Sequence, residues 1–460
     1  MPPIEPARPS ARGMAAAFGV MLAGVISVHA ETLQDTLAHA YAYNTDLAAA
    51  RAHLRAIDEE VPQALSGWRP TVTINSSGGY QSFNTGTSYL LPYEFSYEQG
   101  NYGGNIQLKQ PLYSGGGTAA SIARAKENVR AGRADLLGTE QTVLLRAATA
   151  YDDILRARAL LALDRDIETQ LRRKLQEITI RMQAGQLTQT DIDQAASRLS
   201  SASATRISAE GDLLAANARF VSAVGRPPQS DMLVPGLPPG LPKDAVEAIH
   251  LAEVNSPTVI ASRFRMHAAQ QAVTVAQATL LPSVSATAMA GIDQGQSVPT
   301  VPTKQASITV NLTVPIYQGG SAASQVRQAK ATANESEIQT RSSLRDARRD
   351  AEANYAVWRA AADRLTEQVK QVRLAEVAYD GVRKEAALGA KSTFELLGQL
   401  QALVSARSDE VEARYNAAIN AYQLLVAIGR FTAADLQINV ALYDPVANGD
   451  VLREKAFPLP

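Results

Sequence analysis

The chain has 460 residues, 44 of them basic and 45 acidic, a balance that leaves no basic footprint for nucleic acid. It has no cysteine, which excludes disulfide scaffolds, thiol nucleophiles, cysteine-bound zinc, iron–sulfur clusters and a lipid anchor on cysteine. An aromatic content of 5% and a charged content of 19% suit long alanine-rich helices better than a large soluble enzyme.

The first segment is 1–30. Arg8 and Arg12 precede an apolar run from Met14 to Val28, and Val28-His29-Ala30 places tolerated residues at −3 and −1 before Glu31. This predicts a signal peptide over 1–30 rather than a membrane anchor, because the run is too short to span a bilayer comfortably. The mature chain is expected to begin near Glu31 and to work beyond the cytoplasmic membrane. No later run of 18 apolar residues predicts a transmembrane helix.

From Leu33 to Leu65 the pattern is helical and is closed by Gly67 and Pro70. A strand is predicted over Thr71–Phe83 and a second over Asn105–Tyr113. From Ala119 to Gln183 there is no proline and only two glycines, Gly132 and Gly138, so a rod about 100 Å long is predicted at about 1.5 Å per residue. Leu144, Ala148, Tyr151 and Leu155 step by 4, 3 and 4, the spacing of a coiled-coil seam. Abundant alanine lets neighbouring helices approach closely.

The chain then repeats itself. Leu108 to Lys126, LKQPLYSGGGTAASIARAK, matches Leu312 to Lys330, LTVPIYQGGSAASQVRQAK, at an offset of 204. The same offset pairs Tyr151 with Tyr355, Gly185 with Gly389, Gly225 with Gly429 and Arg226 with Arg430, while Arg51 with Arg263 and Pro70 with Pro282 stand 212 apart. The eight-residue change falls between Pro70 and Pro111, where the first half is expected to carry a longer loop. Matching proline, tyrosine and glycine punctuation makes this a duplication, with repeats over 31–230 and 241–430. A Pro/Gly linker over 231–240 joins them and a tail without usable periodicity, 431–460, follows; it is expected either to wrap the outside of the assembly or to be disordered.

The strands define the environment. Ile308, Val310, Leu312, Val314 and Ile316 alternate with Thr309, Asn311, Thr313 and Pro315, and Val284, Ala286, Ala288 and Ala290 alternate with Ser283, Ser285, Thr287 and Met289. Ile106, Leu108 and Leu112 do the same in the first half. One face is therefore apolar and the other polar, as in a soluble sheet over a core or in an outer-membrane barrel around a wet lumen. Strands of about nine to eleven residues, long enough to cross hydrocarbon when tilted, favour the barrel, as does the export signal. So does the crowding of Tyr80, Phe83, Tyr89, Tyr93, Phe95, Tyr97 and Tyr102 at the first hairpin's tip, since aromatics collect at membrane interfaces. Four strands cannot close alone, because lipid tolerates no open edge and the smallest such barrels have eight. The active unit must be an oligomer.

The duplicated order and the corners Pro111-Leu112-Tyr113-Ser114-Gly115-Gly116 and Pro315-Ile316-Tyr317-Gln318-Gly319-Gly320, with the turns at Gly185 and Gly389, resemble the TolC family of outer-membrane export ducts over about 31–430. The resemblance implies a mixed α and β membrane protein: a homotrimer whose 12-stranded β-barrel, four strands per chain, sits in the outer membrane and continues into the periplasm as an α-helical coiled-coil tunnel. It also implies a periplasmic adaptor and an inner-membrane ABC transporter or proton-driven pump as partners. Carried over by position, Glu395 would form a carboxylate ring at the periplasmic constriction, and Lys391 would pair with Asp191. Where the family often has a second acidic residue one turn on, this chain has Gly398, which implies weaker cation block.

Catalytic machinery is missing. His29, His39, His53, His250 and His267 are scattered and follow no ligand or triad spacing, and no Gly-Lys-Ser/Thr follows the glycines at Gly115 to make a phosphate loop. No enzyme and no cofactor is expected. Two cargoes fit: an unfolded protein toxin of the repeats-in-toxin, haemolysin or adenylate cyclase type in type I secretion, or small molecules in proton-driven multidrug efflux. Many drug-efflux relatives carry a lipidated cysteine and this chain has none, which tilts the expectation toward protein secretion. A soluble periplasmic helical stalk is the reading outside transport.

Overall fold

The computed structural model describes residues 30–85, 95–294 and 301–454. Residues 1–29 of the expected signal peptide, Tyr89 and Tyr93 of the aromatic cluster, and Phe457–Pro460 of the tail lie outside the described residues.

Three short helices open the chain: α1 Leu33–Tyr43, α2 Thr45–Asp58 and α3 Glu60–Leu65. The single helix expected over Leu33–Leu65 is broken twice. Asn44 takes an extended ψ of 129° and turns its side chain onto the N–H groups of Asp46 and Leu47, so it caps a new helix instead of continuing the old one. Next come β1 Thr71–Thr85, β2 Phe95–Ser114, α4 Gly117–Gln183 and α5 Gln189–Val224. After an extended linker the order recurs as α6 Ala245–Asn255, α7 Pro257–Ala278, β3 Ser283–Gln294, β4 Thr303–Thr313, α8 Ser321–Ala387 and α9 Thr393–Ala427. Both long helices have 67 residues, so each extends about 100 Å. None of the described helices is long and apolar enough to cross a membrane.

The additional length of the first half falls largely on the described strands. β1 and β2 have 15 and 20 residues against 12 and 11 in β3 and β4, while the stretches between the strands, 86–94 and 295–302, differ by one residue. The additions lengthen the strands. Tyr80, Phe83, Phe95, Tyr97 and Tyr102 accordingly stand on strands rather than in a loop.

The four strands form one antiparallel sheet in the order β1-β2-β3-β4. The helices continue away from one end of it. Their main core surrounds Leu144, Tyr151, Ile154, Phe220, Tyr422 and Phe431, and a second cluster of Ile167, Leu171, Ile178, Leu397 and Leu400 zips the far coils. The described part of the tail is ordered. Phe431, Ala433 and Ile438 are buried, the Tyr443 N–H donates to the Tyr41 hydroxyl, and a tenth helix, α10 Ala447–Glu454, packs on α2 through the Asn448–Asp58 hydrogen bond. Apolar side chains spaced irregularly along a chain of turns carry this docking, so no periodicity announced it.

Candidate conduit surfaces and coiled-coil tip

The strand register builds two unlike faces. Val72 pairs with Leu108, Leu108 with Ala288 and Ala288 with Ile308; one step on, Ile74, Ile106, Ala290 and Ala306 form a parallel row. These rows line an open apolar surface, and Ile74 and Ile308 are 78% and 82% exposed. Between them run polar rows such as Thr71, Lys109, Thr287 and Thr309, or Asn75, Asn105, Gly291 and Gln305. Toward the hairpin tips the apolar face changes to Tyr80, which donates to Glu98 at 2.6 Å, and Tyr102, which donates to Gln294. Hydroxyl-tipped aromatics above an aliphatic band are the side-chain order of a membrane interface. Among the described residues, no strand lies beside the outer edges of β1 and β4.

At the other end of each strand pair, two glycines turn the chain into a long helix. Gly115 and Gly116 have φ of 62° and 81°, and Gly319 and Gly320 have 60° and 83°, a left-handed path on which any Cβ is strained. Pro111 and Tyr113 flank an irregularity where β2 shifts register against β3. Pro315 and Tyr317 lie past the end of β4, with Tyr317 exposed.

The far turns are built to one plan. Gly185 and Gly389 both stand at φ 77° and end their helices. Thr188 and Ser392 then cap the next helices in full capping boxes with Asp191 and Glu395, residues that are 204 apart. Thr188 donates to Asp191 from its N–H at 2.9 Å and its hydroxyl at 2.8 Å, which holds the Asp191 carboxyl below its usual range. Lys391 Nζ donates to Glu395 Oε1 at 2.8 Å. That ammonium, with the Ser392 N–H and hydroxyl, lowers the Glu395 pKa to about 2. The pairing of Lys391 with Asp191 is thus absent within the protomer, because a lysine four residues before the cap carboxylate reaches it locally. Asp191 and Lys391 do share a cleft of about 590 Å³ with Arg181 and Arg383. Gly398 has open space around it.

Two features had no signal in sequence spacing. Glu31 is buried, its carboxylate accepting from Arg226 at 2.6 Å, Gln229 N–H at 2.9 Å and Thr36 Oγ1 at 2.8 Å. The Tyr151 hydroxyl donates to the Glu31 carbonyl at 2.8 Å, and Tyr355 donates to the carbonyl of Lys243, which stands just before α6, at 2.9 Å. Each tyrosine thereby ties the start of its half to its long helix. Asp152 beside it is fully buried with neither oxygen hydrogen-bonded. Burial, assisted by the neighbouring Asp153, raises its pKa to about 7, opposed by the nearby Tyr422 hydroxyl. Among the described residues no group of side chains could hold a metal ion.

A family model described as outer membrane efflux protein matches residues 36–226 and 248–430. The chain is 30% identical to the outer membrane efflux protein BepC of Brucella suis over 455 residues, 96% of each chain. It is 24% identical to the outer membrane protein TolC of Escherichia coli, covering 94% of this chain and 89% of that one. At 24% it also matches the alkaline protease secretion protein AprF of Pseudomonas aeruginosa, over 74% of this chain and 72% of the relative. The outer membrane channel CmeC of Campylobacter jejuni superposes with a TM-score of 0.76 at 16% identity, over 92% of this chain and 89% of that one. Two-faced strands, glycine corners and paired rods therefore have their explanation in descent: the chain belongs to the outer membrane efflux protein family and is an outer-membrane channel protein, not an enzyme.

Proposed function

We propose that three copies of this chain, each a duplication with repeats over 31–230 and 241–430, close a 12-stranded barrel in the outer membrane and continue as a helical tunnel into the periplasm. The tunnel would serve as the exit duct of a tripartite export system, with a periplasmic adaptor and an inner-membrane transporter that supplies the energy. One observation carries the reading. The apolar rows run unbroken across all four strands while both sheet edges stay open, and lipid accepts such a face only when the edges are paired. Asp191, Lys391 and Glu395 would ring the far tip, where carboxylates gathered on one axis favour cations. The corners at Pro111, Tyr113, Gly115, Gly116, Pro315, Tyr317, Gly319 and Gly320 would join barrel to tunnel.

For the cargo, an unfolded polypeptide exported by an ABC transporter in type I secretion is our first reading. The lack of cysteine for a lipid anchor supports it, as does the likeness to a protease secretion protein. Small-molecule efflux by a proton-driven pump is the second, favoured by the relative named as an efflux protein. In the host, the protein should fractionate with the outer membrane as a heat-resistant oligomer that needs detergent; a monomer soluble in plain buffer would overturn the duct. Deleting the protein should remove a large secreted polypeptide and leave drug tolerance unchanged. The reverse outcome would give the duct to efflux.

A further inference from the structure

Four charged residues stand on the described strands, and the register sorts them. Glu98 and Lys304 share the face of the apolar rows and lie toward the hairpin tips, Lys304 opposite Ile292. Lys109 and Asp293 stand on the polar face. Asp293 lies near the hairpin end and accepts a hydrogen bond from Gln305 at 3.0 Å. Lys109 lies six positions nearer the helices, about 20 Å along the strand at about 3.3 Å per residue. It is exposed, has no ion-pair partner among the described residues, and its row is completed by Thr71, Thr287 and Thr309. The adjacent row on the opposite face is Val72, Leu108, Ala288 and Ile308. Among the described residues, Lys109 is therefore the one charged strand residue placed at the depth of the aliphatic band.

A lysine on the lipid side at that depth would cost about 2–4 kcal/mol, whereas on the polar face it costs little if that face is wet. From this placement, and resting on the duct reading above, we infer that the Lys109 ammonium groups of the assembled chains form a cationic ring at the helix end of the barrel lumen, a binding site for multivalent anions. Hydroxyl rows around the ring supply hydrogen bonds without neutralising it. The ring faces the anionic Asp293 level from below and the carboxylates of the distant tip from above. Acidic stretches of a passing polymer, or a polyphosphate, would dwell there.

The test is block of single-channel current in planar bilayers by inositol hexakisphosphate, added to each chamber in turn so that it can enter from the hairpin side without crossing the tip. Full-length wild type should be blocked from one side in 0.1 M KCl and much less in 1 M, where the Debye length falls from about 10 Å to about 3 Å. Lys109→Gln should raise the half-blocking concentration at least tenfold, Lys109→Arg should retain block, and Lys304→Gln should stay within twofold of wild type. A heat-resistant oligomer on gels checks that each variant is assembled. Conducting wild-type channels that ignore the hexaphosphate, or equal block of Lys109→Gln, would overturn the ring and leave the duct standing. Absence of any oligomer or current would overturn the duct, and the ring with it.

Discussion

The two 67-residue helices occupy the same place in a recurring order of elements and have opposite surroundings. α4 buries 24 residues and α8 buries five. α4 is flanked by the short helices of its own half, by α5 and α9, and by α7 of the second half. α8 has α6, α7 and α9 and, among the described residues, no comparable partner on its other flank, where Val357, Leu374 and Val377 lie exposed. The corners tell the same story. A Cβ on Gly115 would strike Ala278 O at 2.8 Å, yet one on Gly319 would meet nothing. In the sheet, β2 is covered by β3 while β4 ends in an open edge. The second half thus lacks what it provides to the first. A head-to-tail ring, in which the first half of the next copy covers α8 and β4, removes the asymmetry and closes by rotation.

The sharpest way to break that comparison is to test the register it implies. Within the chain Gln107 pairs with Met289. Adding 204 to one and subtracting 212 from the other gives Asn311 opposite Ser77 of the next copy. Since there is no native cysteine and the periplasm is oxidising, the Asn311→Cys/Ser77→Cys double variant should form covalent oligomers on non-reducing gels, and each single variant should not. Monomeric double variant, with the protein correctly in the outer membrane, would refute the head-to-tail ring.

Next in size is the contrast between buried and open flanks. Ile154 on α4 is fully buried, so Ile154→Ala should cost about 2–5 kcal/mol, seen as a lower thermal midpoint by circular dichroism. Leu374→Ala on α8, at 64% exposure in the protomer, should leave the protomer's own midpoint nearly unchanged. It should instead lower the temperature at which the oligomer dissociates on gels. If both variants behave alike, α8 is simply a solvated surface.

Asp152 extends the contrast to pH. It faces Asp153, Tyr151 and Tyr422, and lies near Tyr415 and Arg414, whose guanidinium is held by Glu410. The folded protein retains a proton that the unfolded chain gives up near its ordinary 3.8. Stability from this group is therefore full below about pH 4 and falls as pH rises toward 7, by on the order of 4 kcal/mol. Asp152→Asn should flatten the dependence, matching wild type near pH 4 and melting higher at pH 8. A parallel fall in both proteins would show that Asp152 is ionised and solvated in the fold.

What could be read in the sequence was what is local or periodic. Alternation over Ile308–Leu312 gave the two faces, although Val314 and Ile316, which continue the pattern, lie past the end of β4, and the spacing of Gly115, Gly185 and Gly225 from Gly319, Gly389 and Gly429 gave the order of elements. Long-range polar contacts left no such trace: Glu31 meets Arg226 across 195 positions, and neither residue type is diagnostic. β2 begins well before the predicted Asn105: Gly100, Gly103 and Gly104 are poor strand formers, yet pairing with β1 carries the strand back to Phe95. At the tip, Lys391 meets Glu395 of its own turn because it stands just before the N-cap Ser392, a local cap geometry that a family resemblance does not carry.

That turn holds the smallest contrast between the halves. Asp191 and Glu395 cap their helices in the same way, but the place before the N-cap that Lys391 holds is filled by Leu187 at the other turn. One cap carboxylate carries its own counter-ion and the other does not. Because Glu395 stays ionised down to about pH 2, the cation preference of single channels should hold from pH 7 to pH 4. Lys391→Ala removes the first of the causes that depress Glu395, so its carboxyl should titrate nearer the ordinary range: cation preference should strengthen at pH 7 and weaken by pH 4. Glu395→Ala should reduce that preference at all pH values. Conductance and selectivity unchanged in Glu395→Ala would remove this carboxylate from the constriction and leave it as a helix cap, the role that Asp191 has with Thr188 alone.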